Sequence, residues 1–306
     1  MTETAIEFCS VVKRYGDATA VAGIDLSIAK GELVTFLGPS GCGKTTSLRL
    51  IAGLELPSEG QVFIAGRDVS RDPASARNVG MVFQSYALFP HMNVLDNVAY
   101  GPVIRGTSRA QAQAKAREIL DQVGLGGLHQ RLPGELSGGQ QQRVAVARAI
   151  VQQPDVILFD EPLSNVDAKL RRKVREEIRS LQRRFGLTAV YVTHDQEEAL
   201  AVSDRIVVMD RGRIAQIGTP ADLYERPATP FIADFIGDAN LIRGQVARGR
   251  FTAPGMVLDV PGPEGPATLS IRPERITLVP GGPDRVVTAT YLGSRMEYLV
   301  TAQVGE

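Results

Sequence analysis

Residues 38–45 read Gly-Pro-Ser-Gly-Cys-Gly-Lys-Thr, which fits the pattern G-x-x-x-x-G-K-[ST]. Glycines let a backbone turn tightly enough for successive N–H groups to converge on one anion, so the pattern is that of a phosphate-binding loop. Lys44 would reach the outer phosphates of a nucleotide, and the Thr45 hydroxyl would ligate Mg²⁺. A glycine-rich turn with a surface lysine is the bland alternative. The flanks argue against it: residues 33–37 (Leu-Val-Thr-Phe-Leu) predict a buried parallel strand, and residues 46–52 predict a helix whose positive end adds to the anion site.

Other residues could share that chemistry. Asp160 and Glu161 end an apolar run, 156–159, that reads as a parallel strand. Ligands in α/β folds gather at the C-terminal ends of such strands. Asp160 there can hold Mg²⁺, and Glu161 can polarise a water for attack on a γ-phosphate, or both are solvated acids before Pro162. His194 ends another strand, 189–193, and can hydrogen-bond a γ-phosphate. Gln84 ends the strand 79–83, where a lone glutamine is ordinarily a polar terminus. Residues 136–140, Leu-Ser-Gly-Gly-Gln, open a helix running to 151. Ser137 sits where an N-cap belongs, and bare N–H groups at two glycines make a second anion site, unless this is simply a capped helix. Tyr15 either packs or offers a face to adenine.

These residues need a frame. The chain has 306 residues, 43% hydrophobic, with no formal net charge, which predicts about two domains and gives no global basic field for nucleic acid. No apolar run approaches the roughly 20 residues that span a bilayer, and the first residues lack signal-peptide character, so a soluble, cytosolic chain is expected. Cys9 and Cys42 have no metal spacing. Cys42 lies inside the phosphate loop, so alkylating it should block nucleotide binding. Residues 5–30 predict two antiparallel strands about a turn at Gly16-Asp17. Residues 61–65 predict a strand, with a turn at 66–68. Residues 87–150 predict a mainly helical insert, including a helix opened by Ser108 with Gln111 in a capping box. Val166, Leu170, Val174, Ile178, Leu181 and Phe185 make one apolar stripe of a helix. Its basic side reads as a solvated face more readily than as a nucleic-acid surface, because Glu176 and Glu177 interrupt it. Beyond Gly237, short strands at 246, 251, 256–258, 269–271, 276–279, 286–287 and 298–300 suggest a small β-barrel or sandwich. The strand-like pattern at Gln303-Val304 leaves that domain small or cut short.

Taken in order, residues 38–45, Gln84, Leu-Ser-Gly-Gly-Gln at 136–140, the strand into Asp160-Glu161, Ser164-Asn165-Val166-Asp167 and His194 resemble the ATP-binding-cassette ATPases over residues 5 to about 236. That resemblance implies an α/β P-loop cassette, residues 1–236, with an antiparallel β subdomain and the helical subdomain at about 87–150. It implies ATP and Mg²⁺, bound between two copies of the chain stacked head to tail. Tyr15 would stack on adenine. Ser40, Gly41, Cys42, Gly43, Lys44, Thr45 and Thr46 would hold phosphate and Mg²⁺, with Gln84 and Asp160 also at the metal. Ser137, Gly138, Gly139 and Gln140 would close on the partner's ATP. Glu161 would be the general base, assisted by His194, Gln84 and Lys44.

Residues 83–92 (Phe-Gln-Ser-Tyr-Ala-Leu-Phe-Pro-His-Met), 221–227 and 235–237 are similar to the binding-protein-dependent importers. Residues 270–274, Ser-Ile-Arg-Pro-Glu, resemble the small oligonucleotide-binding-like β domain of that subgroup, here 237–306, used for regulation and dimer contacts. This implies a peripheral subunit at the cytoplasmic face of the inner membrane. Its partners would be membrane permease subunits and, indirectly, an extracytoplasmic solute-binding protein, with no nucleic acid. The expected solute is a polyamine or ferric iron, with phosphonate, sulfate or sugar as alternatives. A soluble cassette acting on nucleic acid is the alternative of another class.

Overall fold

The computed structural model describes residues 3–164, 168–260, 262–281 and 284–301, with the backbone alone at 168–170. Asn165, Val166 and Asp167, the side chain of Leu170, and Gln303-Val304 lie outside the described residues. In chain order the elements are β1 (Thr4–Tyr15), β2 (Ala18–Ala29), β3 (Leu33–Leu37), α1 (Lys44–Ala52), β4 (Glu59–Ile64), β5 (Arg67–Asp68) and β6 (Val79–Val82). Three helices follow, α2 (Val94–Ile104), α3 (Arg109–Gln122) and α4 (Gly138–Ile150). Next come β7 (Val156–Asp160), α5 (Ala168–Phe185), β8 (Ala189–Val192), α6 (Gln196–Val202), β9 (Arg205–Asp210) and β10 (Arg213–Gly218). The chain continues through α7 (Pro220–Glu225), α8 (Pro230–Phe235), β11 (Asn240–Ala247), β12 (Arg250–Ala253), β13 (Met256–Asp259), β14 (Gly265–Ile271), β15 (Arg285–Tyr291) and β16 (Met296–Thr301).

The central sheet has the strand order β10-β9-β3-β8-β7-β6. All pairs are parallel except β10 on β9. Its inner strands β3, β7 and β8 are buried almost along their whole length because both faces are covered, as parallel sheets require. Leu33, Ile157, Phe159, Ala189 and Tyr191 face one core, with α2, α3, α4 and α5. Val34, Phe36, Val156, Leu158, Val190 and Val192 alternate onto the other, with α1 and the antiparallel sheet β2-β1-β4-β5. That period of two is the pleat itself. Residues 66–68, expected as a turn, include the short strand β5, because Arg67 and Asp68 pair back onto Ile64 and Phe63.

The insert is helical as expected. Ser108 caps α3, and its hydroxyl donates to Gln111 Oε1 at 2.7 Å. Val174, Ile178 and Leu181 of α5 are buried. Its basic face is laced by ion pairs: Arg172–Glu176 at 3.2 Å, Arg171–Asp195 at 3.5 Å, and Arg179 on Asp204. Arg77 is nearly fully buried, and its guanidinium donates to the Ile51 carbonyl at 2.9 Å, closing the C-terminal end of α1.

Compact units divide after Pro220, which groups α7 and α8 with the C-terminal strands. In that unit β13-β12-β11-β14 form an antiparallel sheet and β15-β16 a hairpin. Residues 276–279, expected as a strand, have no ladder partner. Pro273 opens a short 3-10 turn before them, Pro280 follows, and Ile276, Leu278 and Val279 stay exposed. β-branched residues make a strand only when a neighbouring strand supplies the pairing. Within the unit, Arg272 stacks on Tyr224 and donates to the carbonyls of Tyr224 and Ala233, both at 2.7 Å.

Candidate active site

The order β3-β8-β7-β6 aligns four C-terminal strand ends. Phe36 pairs with Val192, Val192 with Asp160, and Phe159 with Val82. The loop 38–45 leaves β3, His194 follows β8, Asp160-Glu161 end β7, and Gln84 follows β6 by two residues. Residues scattered from 38 to 194 therefore share one edge of one sheet, where α/β folds bind ligands.

The glycine loop is held from behind. A Cβ on Gly38 would lie 2.3 Å from the Met209 carbonyl oxygen and 2.6 Å from Cys42 Sγ. One on Gly43, whose φ is +105°, would lie 2.5 Å from the Ala20 carbonyl oxygen. No side chain caps α1, and no acid occupies its first turn. Its N–H groups are thus left to an anion. Lys44 is buried, and its ammonium donates to the Gly38 and Pro39 carbonyls at 2.7 and 2.9 Å. This folds the amine over the loop it closes. Cys42 is 3% exposed, and burial pushes its thiol up against a smaller opposing effect of Lys44. Ser40 and Gly41 are exposed, and Thr45 and Thr46 are half-buried. Tyr15 is 45% exposed, with the Lys13 ammonium 4.9 Å from its ring centre. Burial and then Glu55 push its phenol up, and Thr46 is among the groups beside it.

Glu161 has φ +44°, a left-handed conformation uncommon for a non-glycine residue. Its N–H donates to Val192 O at 3.0 Å, and the Ser164 hydroxyl donates to its carbonyl at 2.9 Å. That pinned turn sets Glu161 Oε2 at 3.4 Å from His194 Nδ1. Burial raises the Asp160 carboxyl, Glu161 adds to this, and Arg49 opposes it. Below His194, Glu198 is buried and accepts from the Thr193 hydroxyl at 2.8 Å and from Tyr191 at 3.2 Å, which fixes the turn that carries the histidine. Sequence reasoning placed Glu198 only at the third position of the helix that Asp195 begins, and gave it no part in the site.

Residues 137–140 are delivered by a helix instead of a strand end. Ser137 and Gln140 form a full capping box: Ser137 N donates to Gln140 Oε1 at 2.9 Å, and Gln140 N to Ser137 Oγ at 3.4 Å. Ser137 and Gly138 are exposed, and Tyr86, from the loop bearing Gln84, approaches Gly138.

A glycine loop on an uncapped helix, beside a carboxylate–imidazole pair on the next strands of a parallel sheet, defines a P-loop nucleoside-triphosphate hydrolase. Residues 21–164 match the ABC transporter family model. The "Fe(3+) ions import ATP-binding protein FbpC" of Rhizobium etli is 55% identical over 312 residues, covering 98% of this chain and 88% of that protein. The protein of the same name from Escherichia coli K12 is 50% identical over 302 residues, covering 96% and 87%. Among solved structures, the ADP conformation of the cassette MJ1267 superposes with a TM-score of 0.67 at 27% identity, over 76% of this chain and 98% of that one. The dimeric bacterial cassette MJ0796 gives 0.61 at 32% identity, over 70% and 98%. The chain belongs to the ABC transporter family, as an ATP-binding, ATP-hydrolysing subunit.

Proposed function

We propose that this subunit powers the import of ferric iron, as a head-to-tail homodimer seated under permease subunits at the cytoplasmic face of the membrane. The solute follows the names of the relatives at 50–55% identity. The peripheral placement accords with the finding that no described helix is long and apolar enough to cross a membrane. The solute-binding protein would act from the other side, through the permease.

The observation that carries the hydrolytic part is the Glu161–His194 pair at 3.4 Å, beside the strand that feeds the Lys44 loop. Lys44 and the N–H groups of residues 41–46 bind the phosphates. Tyr15 offers its exposed ring to adenine. Glu161 accepts a proton from the attacking water, and His194 holds that carboxylate and meets the γ-phosphate. Mg²⁺ fits the donor set. Among the described residues no cluster of three or more His, Cys, Asp and Glu could hold a metal. The ion would rest on phosphate oxygens with the Thr45 hydroxyl, Asp160 and the Gln84 amide, hard oxygen donors of the kind Mg²⁺ prefers. A cation beside Asp160 would also offset the burial that raises its carboxyl. When bound, Mg²⁺ neutralises charge developing on the phosphates. Ser137 and Gly138, exposed at the start of α4, with the N–H group of Gly139 behind them, would complete the partner's site, so ATP bridges two copies and its hydrolysis releases them.

Glu161→Gln tests this directly. It keeps shape and hydrogen bonding but removes the base, so kcat should fall by about a hundredfold or more, while ATP doubles the mass of the particle in light scattering. Hydrolysis near the wild-type rate would remove Glu161 from its role.

A further inference from the structure

The loop between β6 and α2 is fastened to α4 at one point and approaches it at another. Arg148, on the helix, donates from Nη1 to the Ala87 carbonyl at 2.7 Å and from Nη2 to the Tyr86 carbonyl at 3.0 Å. At the other end of α4, the Tyr86 hydroxyl lies 4.0 Å from where a Gly138 Cβ would sit. Here the backbone is strained: Tyr86 and Ala87 have φ of +59° and +48°, left-handed values that non-glycine residues hold only when their surroundings impose them.

The hydroxyl is the anomaly. Tyr86 is 7% exposed, and its Oη has no hydrogen-bond partner among the described residues. Gln142 is 1% exposed, and both polar atoms of its carboxamide are also without partners. Gly138 and Gln142 are four residues apart, on one face of α4. Helical side chains lean toward the N-terminus, so that of Gln142 leans toward the turn that Tyr86 approaches. Three buried polar atoms thus stand unpaired about one turn of one helix, and each unpaired atom carries a desolvation penalty of roughly 1–3 kcal/mol. A phenol donates and accepts, and a carboxamide does both, so the two can satisfy one another.

We propose that Tyr86 is a positioning residue: its hydroxyl pairs with the Gln142 carboxamide in the nucleotide-bound state, locking the Gln84 loop to the helix that presents Ser137. This rests on the reading that Gln84 serves one half-site and Ser137 the partner's. The bond makes the two move together, so that nucleotide at Gln84 sets the angle at which Ser137 is offered. Arg148 is the permanent fastening and the Tyr86–Gln142 pair the conditional one.

Tyr86→Phe removes only the hydroxyl. A bond that forms only with nucleotide leaves the hydroxyl unpaired without it, so the nucleotide-free variant should melt at or above the wild-type temperature. A non-hydrolysable ATP analogue with Mg²⁺ should raise the melting temperature less in the variant than in the wild type. With ATP, kcat should fall about threefold to tenfold, the worth of one net hydrogen bond, with KM changed less. Gln142→Leu should reproduce the loss, and the double variant should be no worse than either single one. The proposal is overturned if Tyr86→Phe lowers the nucleotide-free melting temperature and keeps the full analogue-induced rise. Wild-type kcat in that variant, or additive losses in the double variant, would also overturn it. A wild-type protein that hydrolyses no ATP would instead sink the functional reading beneath it.

Discussion

Lys44 and Cys42 stand two residues apart with opposite demands. Lys44 needs an anion to answer its charge, and it borrows the carbonyls of Gly38 and Pro39. Cys42 packs its sulfur against the place a Gly38 side chain would fill. Burial raises its thiol, so little thiolate is present near neutral pH. Maleimide should therefore react slowly at pH 7 and faster as pH rises. Once attached it has no room behind the loop, so it should abolish nucleotide binding. ATP should protect Cys42, and Cys42→Ala should bind ATP and ignore the reagent. Mass spectrometry of the labelled peptide, with and without ATP, decides this; labelling at equal rates in both would refute it. The loop's chemistry was legible because its residues are contiguous. The exposure of that thiol was not, since Met209 and Ala20, which back the loop, lie far away in sequence.

At the scale of elements, Asp204 shows what position alone can do. It precedes β9, accepts the Leu33 N–H of β3 at 2.9 Å, and receives the Arg179 guanidinium from α5, one bond of which is 3.0 Å. Burial pushes its carboxyl up, but Arg179 and the Leu33 N–H outweigh that and hold it below the usual carboxylate range. A carboxyl lowered on folding adds stability above its unfolded pKa, about 3.9, and loses it as pH falls through the folded value. With the side chain 38% exposed, solvent screening reduces the contribution. Asp204→Asn should cost about 1–2 kcal/mol at pH 7, and the difference from wild type should shrink progressively as pH falls below the unfolded value and through the lowered folded one. Urea titrations across that range check it, and a difference unchanged at low pH would mean the carboxylate charge is not the cause. Sequence reasoning gave Asp204 no role. It could not see three elements meeting there, because the pairing of β3 with β9 is not written locally.

For the whole molecule, the import reading demands coupling across a membrane. Reconstituted with its permease, the dimer should hydrolyse ATP several-fold faster when the extracytoplasmic binding protein carries ferric iron than when it is empty, and polyamines should not substitute. Phosphate release from proteoliposomes measures this. Stimulation by polyamine alone would overturn the iron assignment and leave the ATPase intact.

By itself the sequence determined the inventory. The glycine loop, the Asp160-Glu161 terminus, His194, Gln84 and the capped helix at Ser137 each sit within one strand, turn or helix start, where local pattern and chemistry coincide. The burial of β3, β7 and β8 along their length also followed, because a strand covered on both faces must be apolar throughout. The tertiary structure decided which strands are neighbours. The order β3-β8-β7-β6 brings residue 38 beside 194, 160 and 84, and chain order gives no hint of it. It also decided that residues 276–279 are no strand, and that Tyr86, Arg148, Glu198 and Asp204 matter. Each of these answers to a partner remote in sequence or on another element, and a hydrogen bond depends on distance in space, not on separation along the chain.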